Sequence, residues 1–318
     1  MTGAAGFIGS HLTKRLLDED DFVIGVDNFD TGEKERLLPL TKGKNAHQFV
    51  FIEADMLDFG KLENIFRIHK PEVVFHLAAQ GSVPRSIANP NMTTHNNVCI
   101  TSHALWLSHL YPVRKFVYAS SASVYGTAGL SIKIESQLLE PENPYAVSKL
   151  AAEKLVKVFS KIYNLPTTSL RFFNVFGPDQ GMKSGYSAVI PSWLRAIERG
   201  EPLIVYGSGQ QRRDFTYVSN VVEACMLAAS ASNKILGEEY NVGCDVLTSV
   251  NELTSLLSHA FSSQLVVKYE PRRMGDILES QANINKARVD LGYSPQVGVE
   301  EGIKKTVEWF KKRRVNEP

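Results

Sequence analysis

A chain of 318 residues with 43% apolar and 22% charged side chains is long enough to bury a substantial core and has the make-up of a globular protein. Its net charge of +1 creates no global field toward nucleic acid or an anionic membrane, so any anion must be held by local groups. Cys99, Cys225 and Cys244 form neither a metal spacing nor a disulfide framework, and there is no signal peptide and no apolar run near the roughly 20 residues of a membrane helix. The expectation is therefore a cytoplasmic protein that uses no metal.

The chain opens on a glycine-rich turn and a helical pattern over residues 9–17. Nearly continuous apolar runs at 22–27, 49–55, 72–78, 115–120 and 167–173 read as strands buried on both faces. Helical patterns at 61–68, 97–110 and 145–163 lie between them, so strands and helices alternate. Such alternation predicts an α/β fold of Rossmann type, a doubly wound parallel sheet. After residue 175 glycine and proline become frequent, and helices at 190–199, 249–261 and 299–312 are separated by longer irregular pieces. This predicts a dinucleotide-binding domain over 1–175 and a smaller α/β substrate domain over 176–318, with short segments returning to the first.

The opening GAAGFIG places Gly3, Gly6 and Gly9 as G-x-x-G-x-x-G before a helix, where backbone N–H groups and the helix N-terminus can receive a pyrophosphate. Asp27 ends the next strand, where a carboxylate can bind ribose hydroxyls and would repel a 2′-phosphate. NAD is therefore expected over NADP. In such folds the loop follows a central strand, which is missing before Gly3, so a truncated, inactive chain is one reading.

Tyr145 and Lys149, four apart on a predicted helix, share a face. A nearby ammonium and an oxidised nicotinamide would lower the tyrosine pKa toward that of a useful base. The run SSASVYG, residues 120–126, leaves a strand at its carboxyl end, where ligands bind in open α/β sheets.

Read together, GAAGFIGSHL, VDN, HLAAQGSVPRS, SSASVYG, NPYAVSK, RFFNVFGP, GSGQQRRDFTYV, YNVG and RRMGDILESQAN occur in order. The set resembles the extended short-chain dehydrogenase/reductase family in its NAD-dependent nucleotide-sugar epimerase branch. HLAAQGSVPRS is most similar to UDP-N-acetylglucosamine 4-epimerases. The resemblance implies that Gly3, Gly6, Phe7, Ile8 and Gly9 bind the pyrophosphate, Asp27 and Asn28 the adenosine ribose, and that Asp55 and Met56 flank the adenine. It places Ala78, Ala79, Gln80 and Asn97 around the nicotinamide. Ser121, Tyr145 and Lys149 are implied as catalytic, with Tyr145 and Lys149 also touching the cofactor. Ser82, Ser121, Asn174, Tyr206, Arg213, Arg273, Asp276 and Ser280 are implied to contact a UDP-sugar. The chain departs from the family at Ile100, usually glycine, and at Asn283, usually aspartate.

Ala122 and Ser123 stand where related dehydratases carry an acid pair, which disfavours elimination. The expected reaction is reversible, NAD-dependent epimerisation at carbon 4 of a UDP-hexose through a 4-keto intermediate. Ser280 aligns with a gate that is tyrosine in some glucose/galactose-only relatives, so UDP-GlcNAc/UDP-GalNAc are expected alongside UDP-Glc/UDP-Gal. UDP-glucuronate epimerisation and a non-catalytic nucleotide-sugar-binding relative stay open as alternatives. A homodimer is implied through the helices at 97–110 and 145–163; no nucleic-acid or membrane partner is expected.

Overall fold

The computed structural model describes residues 1–127, 130–181, 188–232, 236–272 and 278–316, with side chains to Arg313. Six strands, β1 (Val23–Asp27), β2 (Phe49–Glu53), β3 (Val73–His76), β4 (Lys115–Ser121), β5 (Thr167–Phe172) and β6 (Glu238–Val242), form the principal sheet. All their pairings are parallel. The order is β2-β1, then Thr2, then β3-β4-β5-β6, because Thr2 bridges Val26 on one side and His76 on the other. Met1 and Thr2, just before the glycine turn, hold the central position. Thr2 N–H donates to Phe75 O at 3.0 Å, and Val26 N–H to Met1 O at 2.8 Å. The strand order reverses at Thr2, the place where open α/β sheets bind ligands.

Helices α1 (Phe7–Asp18), α2 (Phe59–His69), α3 (Pro90–Leu110), α4 (Pro144–Tyr163) and α5 (Val218–Ser230) cover both faces. Leu12 and Leu16 of α1 pack with Val221 and Ala224 of α5 in one core. Leu62 and Phe66 of α2, Ala104 and Leu107 of α3, and Ala152 and Val156 of α4 share the other. Local chemistry explains the helix starts. Asn143 Oδ1 accepts from Ala146 N–H at 2.9 Å with Pro144 in the first turn. Asn89 and Pro90 do the same for α3, which begins at Pro90 rather than at 97 because its polar first turns carry no apolar period.

Helix α5 and strand β6 were not expected from sequence. Helix α5 buries Val218, Val221, Val222, Ala224, Cys225, Ala228 and Ala229, apolar almost all round, so it lacks the one-sided pattern that marks a surface helix. Both elements return the later half of the chain to the principal sheet. Outside it, Trp193, Leu194, Phe215, Leu253, Leu257, Ile303 and Phe310 form a further core. A small sheet, ordered Thr248–Ser249, Arg212–Arg213, Glu279–Ala282, Ile132–Lys133, ties that region to the segment after β4. Among the described residues, no helix is long and apolar enough to cross a membrane.

Candidate active site

A cavity of about 700 Å³ runs along the carboxyl ends of the strands. One end is walled by Gly3, Gly6, Phe7, Ile8 and Gly9, with Asp27, Asn28, Asp55 and Met56 beyond them; Ala78, Ala79, Gln80 and Ser82 form its flank, and Tyr145 and Lys149 its inner end. The turn can only be built from glycine at two points. Gly3 has φ +71°, and a Cβ there would stand 2.8 Å from Ala78 N; a Cβ on Gly9 would collide with Gly3 O.

Asp27 is buried and doubly bonded to backbone: Oδ2 accepts from Ala5 N–H at 3.0 Å and Oδ1 from Phe29 N–H at 2.8 Å. Burial raises its pKa, against those two hydrogen bonds, which lower it. Its carboxylate thus braces the glycine turn while still facing the cavity. Asn28 Nδ2 donates to Asp55 Oδ2 at 3.2 Å in an exposed contact.

At the inner end, Lys149 is buried and its Nζ donates to Ala119 O at 2.8 Å, above the Tyr118 ring at 5.1 Å. Burial pulls its amine down to about 7. Burial raises the Tyr145 phenol above the ordinary value, and the neighbouring Ser121 hydroxyl acts the other way. Desolvation disfavours phenolate and ammonium alike.

Ser121 Oγ accepts from Ser123 Oγ at 2.9 Å, so two linked hydroxyls stand near Tyr145. Asn97 is buried behind the wall rather than in it. Its Oδ1 accepts from Gln80 N–H at 2.8 Å, and its Nδ2 donates to Gln80 O at 3.1 Å and Ser148 Oγ at 2.9 Å. It therefore fixes Gln80 and the helix of Tyr145 together.

A second cavity of about 400 Å³ adjoins the first through Val175, Gln180 and Ala188, which line both. Asn174, Tyr206 and Arg213 line it, with Trp193, Phe215 and Val250 as apolar walls. Arg213 Nη1 donates to Arg212 O at 2.9 Å. Ser280 pairs with Arg213 in the small sheet and is buried beside it, outside the walls of both cavities. Arg273 and Asp276 lie outside the described residues. Sequence reasoning missed Trp193, Gln180 and a buried charged pair, Glu153 with Arg171. The only sequence signal for that pair was Glu153 standing one helical turn beyond Lys149. Among the described residues, no group of three or more His, Cys, Asp or Glu could hold a metal.

A parallel sheet with its switch point at a glycine turn, and a Ser–Tyr–Lys cluster across the cavity, define a dinucleotide-dependent enzyme of the short-chain type. Residues 1–243 match the NAD dependent epimerase/dehydratase family, and the chain belongs to it. UDP-glucose 4-epimerase of Mycolicibacterium smegmatis is 36% identical over 98% of each chain. The structure of UDP-glucose 4-epimerase from Thermotoga maritima with UDP-glucose superposes with a TM-score of 0.91 at 36% identity, covering 98% of both. That of UDP-N-acetylglucosamine 4-epimerase from Methanobrevibacter ruminantium, in complex with UDP-N-acetylmuramic acid, gives 0.90 at 35%, covering 98% of this chain and 97% of the other.

The family's cofactor is NAD, and the residues present fit it. The glycine turn leaves its backbone open to a pyrophosphate, a carboxylate stands where a 2′-phosphate would be repelled, and the cavity is long enough to reach Tyr145.

Proposed function

We propose that the protein interconverts carbon-4 epimers of UDP-hexoses, UDP-GlcNAc with UDP-GalNAc and UDP-Glc with UDP-Gal. The observation that carries this reading is Tyr145 and Lys149 at the inner end of a cavity that begins at the glycine turn, with the Ser121 hydroxyl beside Tyr145. Tyr145 and Lys149 lie on α4, and Ser121 ends β4.

NAD, when bound, supplies a reversible acceptor for the carbon-4 hydride. Tyr145 Oη takes the proton of the 4-hydroxyl as the carbon-4 hydride leaves for the bound cofactor, with the Ser121 hydroxyl beside it and Lys149 offsetting the negative charge that develops. The resulting 4-keto sugar turns about its diphosphate bonds and presents its other face. Return of the hydride to that face of carbon 4 would invert the centre, while Tyr145 gives its proton back to the oxygen. Gly3, Gly6, Phe7, Ile8 and Gly9 hold the cofactor's pyrophosphate, Asp27 and Asn28 its ribose, and Gln80, set by Asn97, its nicotinamide side. In the second cavity Arg213 faces the diphosphate, where a guanidinium suits a dianion, with Asn174 and Tyr206 alongside.

Elimination of water would need an acid near the sugar to protonate the leaving hydroxyl. Ala122 and Ser123, in the turn after Ser121, offer none, which favours epimerisation over dehydration. Residues up to about 175 form the cofactor half in this reading, and 176–318 the sugar half, except that α5 and β6 rejoin the first sheet. We further propose a cytoplasmic homodimer through α3 and α4, whose Trp106, Leu110, Val158, Ile162 and Tyr163 are exposed in the single chain.

Incubating the purified protein with NAD and UDP-GlcNAc, UDP-Glc or UDP-glucuronate separately, and identifying products by chromatography, tests the proposal. Conversion of the first two to their 4-epimers is expected. Conversion of the glucuronate alone would overturn the substrate assignment, and conversion of none would overturn the reaction.

A further inference from the structure

The reacting groups sit on two different elements: Ser121 on the last residue of β4 and Tyr145 on the first turn of α4. Their mutual placement depends on the axial position of α4 against β4. Lys149, one turn along from Tyr145, touches Ala119 O. One turn further, Glu153 is fully buried, and Ser120, adjacent to Ser121, donates to its Oε2 at 2.6 Å.

Glu153 is also held from β5. Arg171 Nε donates to Glu153 Oε2 at 3.0 Å and Nη2 to Oε1 at 2.6 Å, with side-chain exposures of 1% and 0%. Arg171 Nη1 then donates to Tyr125 Oη at 2.8 Å, and Tyr125 Oη to Asn241 Oδ1 at 2.6 Å. Tyr125 ends the short 3-10 turn that Ser121 caps. One buried ion pair thus grips the residue before Ser121, the end of the turn after it, and the helix that carries Tyr145. A buried pair of this kind resists sliding, because any other register leaves a charge unpaired in the interior.

The geometry points to Glu153, Arg171 and Tyr125 as positioning residues that set the placement of Ser121 against Tyr145 and touch neither substrate nor cofactor. The inference rests on the reading of Ser121 and Tyr145 as the reacting pair. Besides Ser121, the titratable groups around Tyr145 are Lys149 on its own helix, Tyr118 on β4 and, behind Lys149, His76 on β3.

Ser120→Ala removes only the hydroxyl that ties β4 to Glu153, and Tyr125→Phe only the hydroxyl that ties the turn to Arg171; both leave the ion pair paired. Each is expected to lower kcat about tenfold with KM within about twofold. Each also moves the acid limb of the kcat–pH profile upward, because Tyr145 loses part of the pKa-lowering influence of the Ser121 hydroxyl. Ser120→Thr, which keeps the hydroxyl, restores both. Independently of turnover, ultraviolet titration of tyrosinate, taken as the difference from Tyr145→Phe, reports the same upward shift. A folded Ser120→Ala or Tyr125→Phe protein with a lowered melting temperature but the wild-type kcat, pH limb and tyrosinate titration overturns the proposal and leaves the pair a mere brace. Ser121→Ala and Tyr145→Phe are the controls: wild-type turnover in both would sink the reading of the site itself, a separable outcome.

Discussion

The two adjoining cavities are built in opposite ways. The larger is braced by polar side chains that bond the backbone before any ligand arrives: Asp27 to Ala5 and Phe29, Asn97 to Gln80, Lys149 to Ala119. The smaller is made of apolar walls, Trp193, Phe215 and Val250, with Arg213 reaching across the small sheet. The first follows from the sheet's switch point, so the chemistry it can do is fixed by the fold. The second rests on side chains whose exchange leaves the fold intact, so in the proposed reading it is the region that selects the substrate.

Replacing the proton acceptor tests the first region most severely. Tyr145→Phe is expected to lower kcat by about 10²–10⁴-fold on every UDP-sugar turned over, with little change in KM, because a ring without its hydroxyl still fills the site. Steady-state kinetics on two sugars check this. An equal loss on both marks a chemical residue; a loss on one sugar alone would move Tyr145 into the region that selects substrate.

The second region should answer in KM. Arg213→Ala is expected to raise KM by about 10- to 100-fold with kcat within a few-fold, since a charge-assisted contact to a dianion contributes about 1.5–3 kcal/mol to binding. Titration with UDP alone, followed by calorimetry, separates this from any effect on the sugar. A kcat loss with unchanged KM would place Arg213 in the chemistry and erase the contrast between the cavities.

Selectivity is the finer version of the same contrast. Ser280 pairs with Arg213 in parallel strands, so the two side chains leave one face of the small sheet together. A tyrosine at 280 would stand beside the arginine and take up room there. Ser280→Tyr is expected to abolish turnover of UDP-GlcNAc while leaving that of UDP-Glc within about threefold, as measured by product analysis on each. Equal losses on both sugars would show that position 280 shapes the sheet rather than the choice.

The same division governs how much could be read from sequence. The glycines, Asp27 and the Tyr145–Lys149 pair were legible because a turn, a strand end and a helical period fix their spacing along the chain. The residues expected to bind the cofactor, Asn97 excepted, line one cavity for the same reason. The Glu153–Arg171 pair was not legible, since a glutamate on a lysine-rich helix reads as a solvated face, and only the register of β4 against β5 brings Arg171 to it. Helix α5 and strand β6 were hidden in another way: fully buried elements have no polar side to reveal their period. Asp27 carries a lesson of its own. Its position pointed to a ribose ligand, but its two bonds to backbone also make it a brace of the glycine turn, and spacing alone cannot separate the two roles.

The smallest expected effect concerns the cost of prebuilding the first region. Lys149 is buried with its amine held down to about 7 from an ordinary 10.5. Below about pH 7 the amine is charged in both the folded and the unfolded chain, and the penalty of burying that charge is fully present. Between about 7 and 10.5 the unfolded chain keeps a proton that the folded chain has shed, so the stability contributed at this position rises with pH. Lys149→Met removes that dependence. It also leaves Ala119 O without its donor, a loss that does not vary with pH, so the informative quantity is a slope and not an offset. In cofactor-free protein, the melting temperature of Lys149→Met minus that of the wild type should fall by about 2–4 °C between pH 7 and 10, as the wild type gains stability that the variant cannot. A difference that stays flat would mean that the lysine is solvated in the folded chain. The larger cavity would then be no more prebuilt than the smaller one.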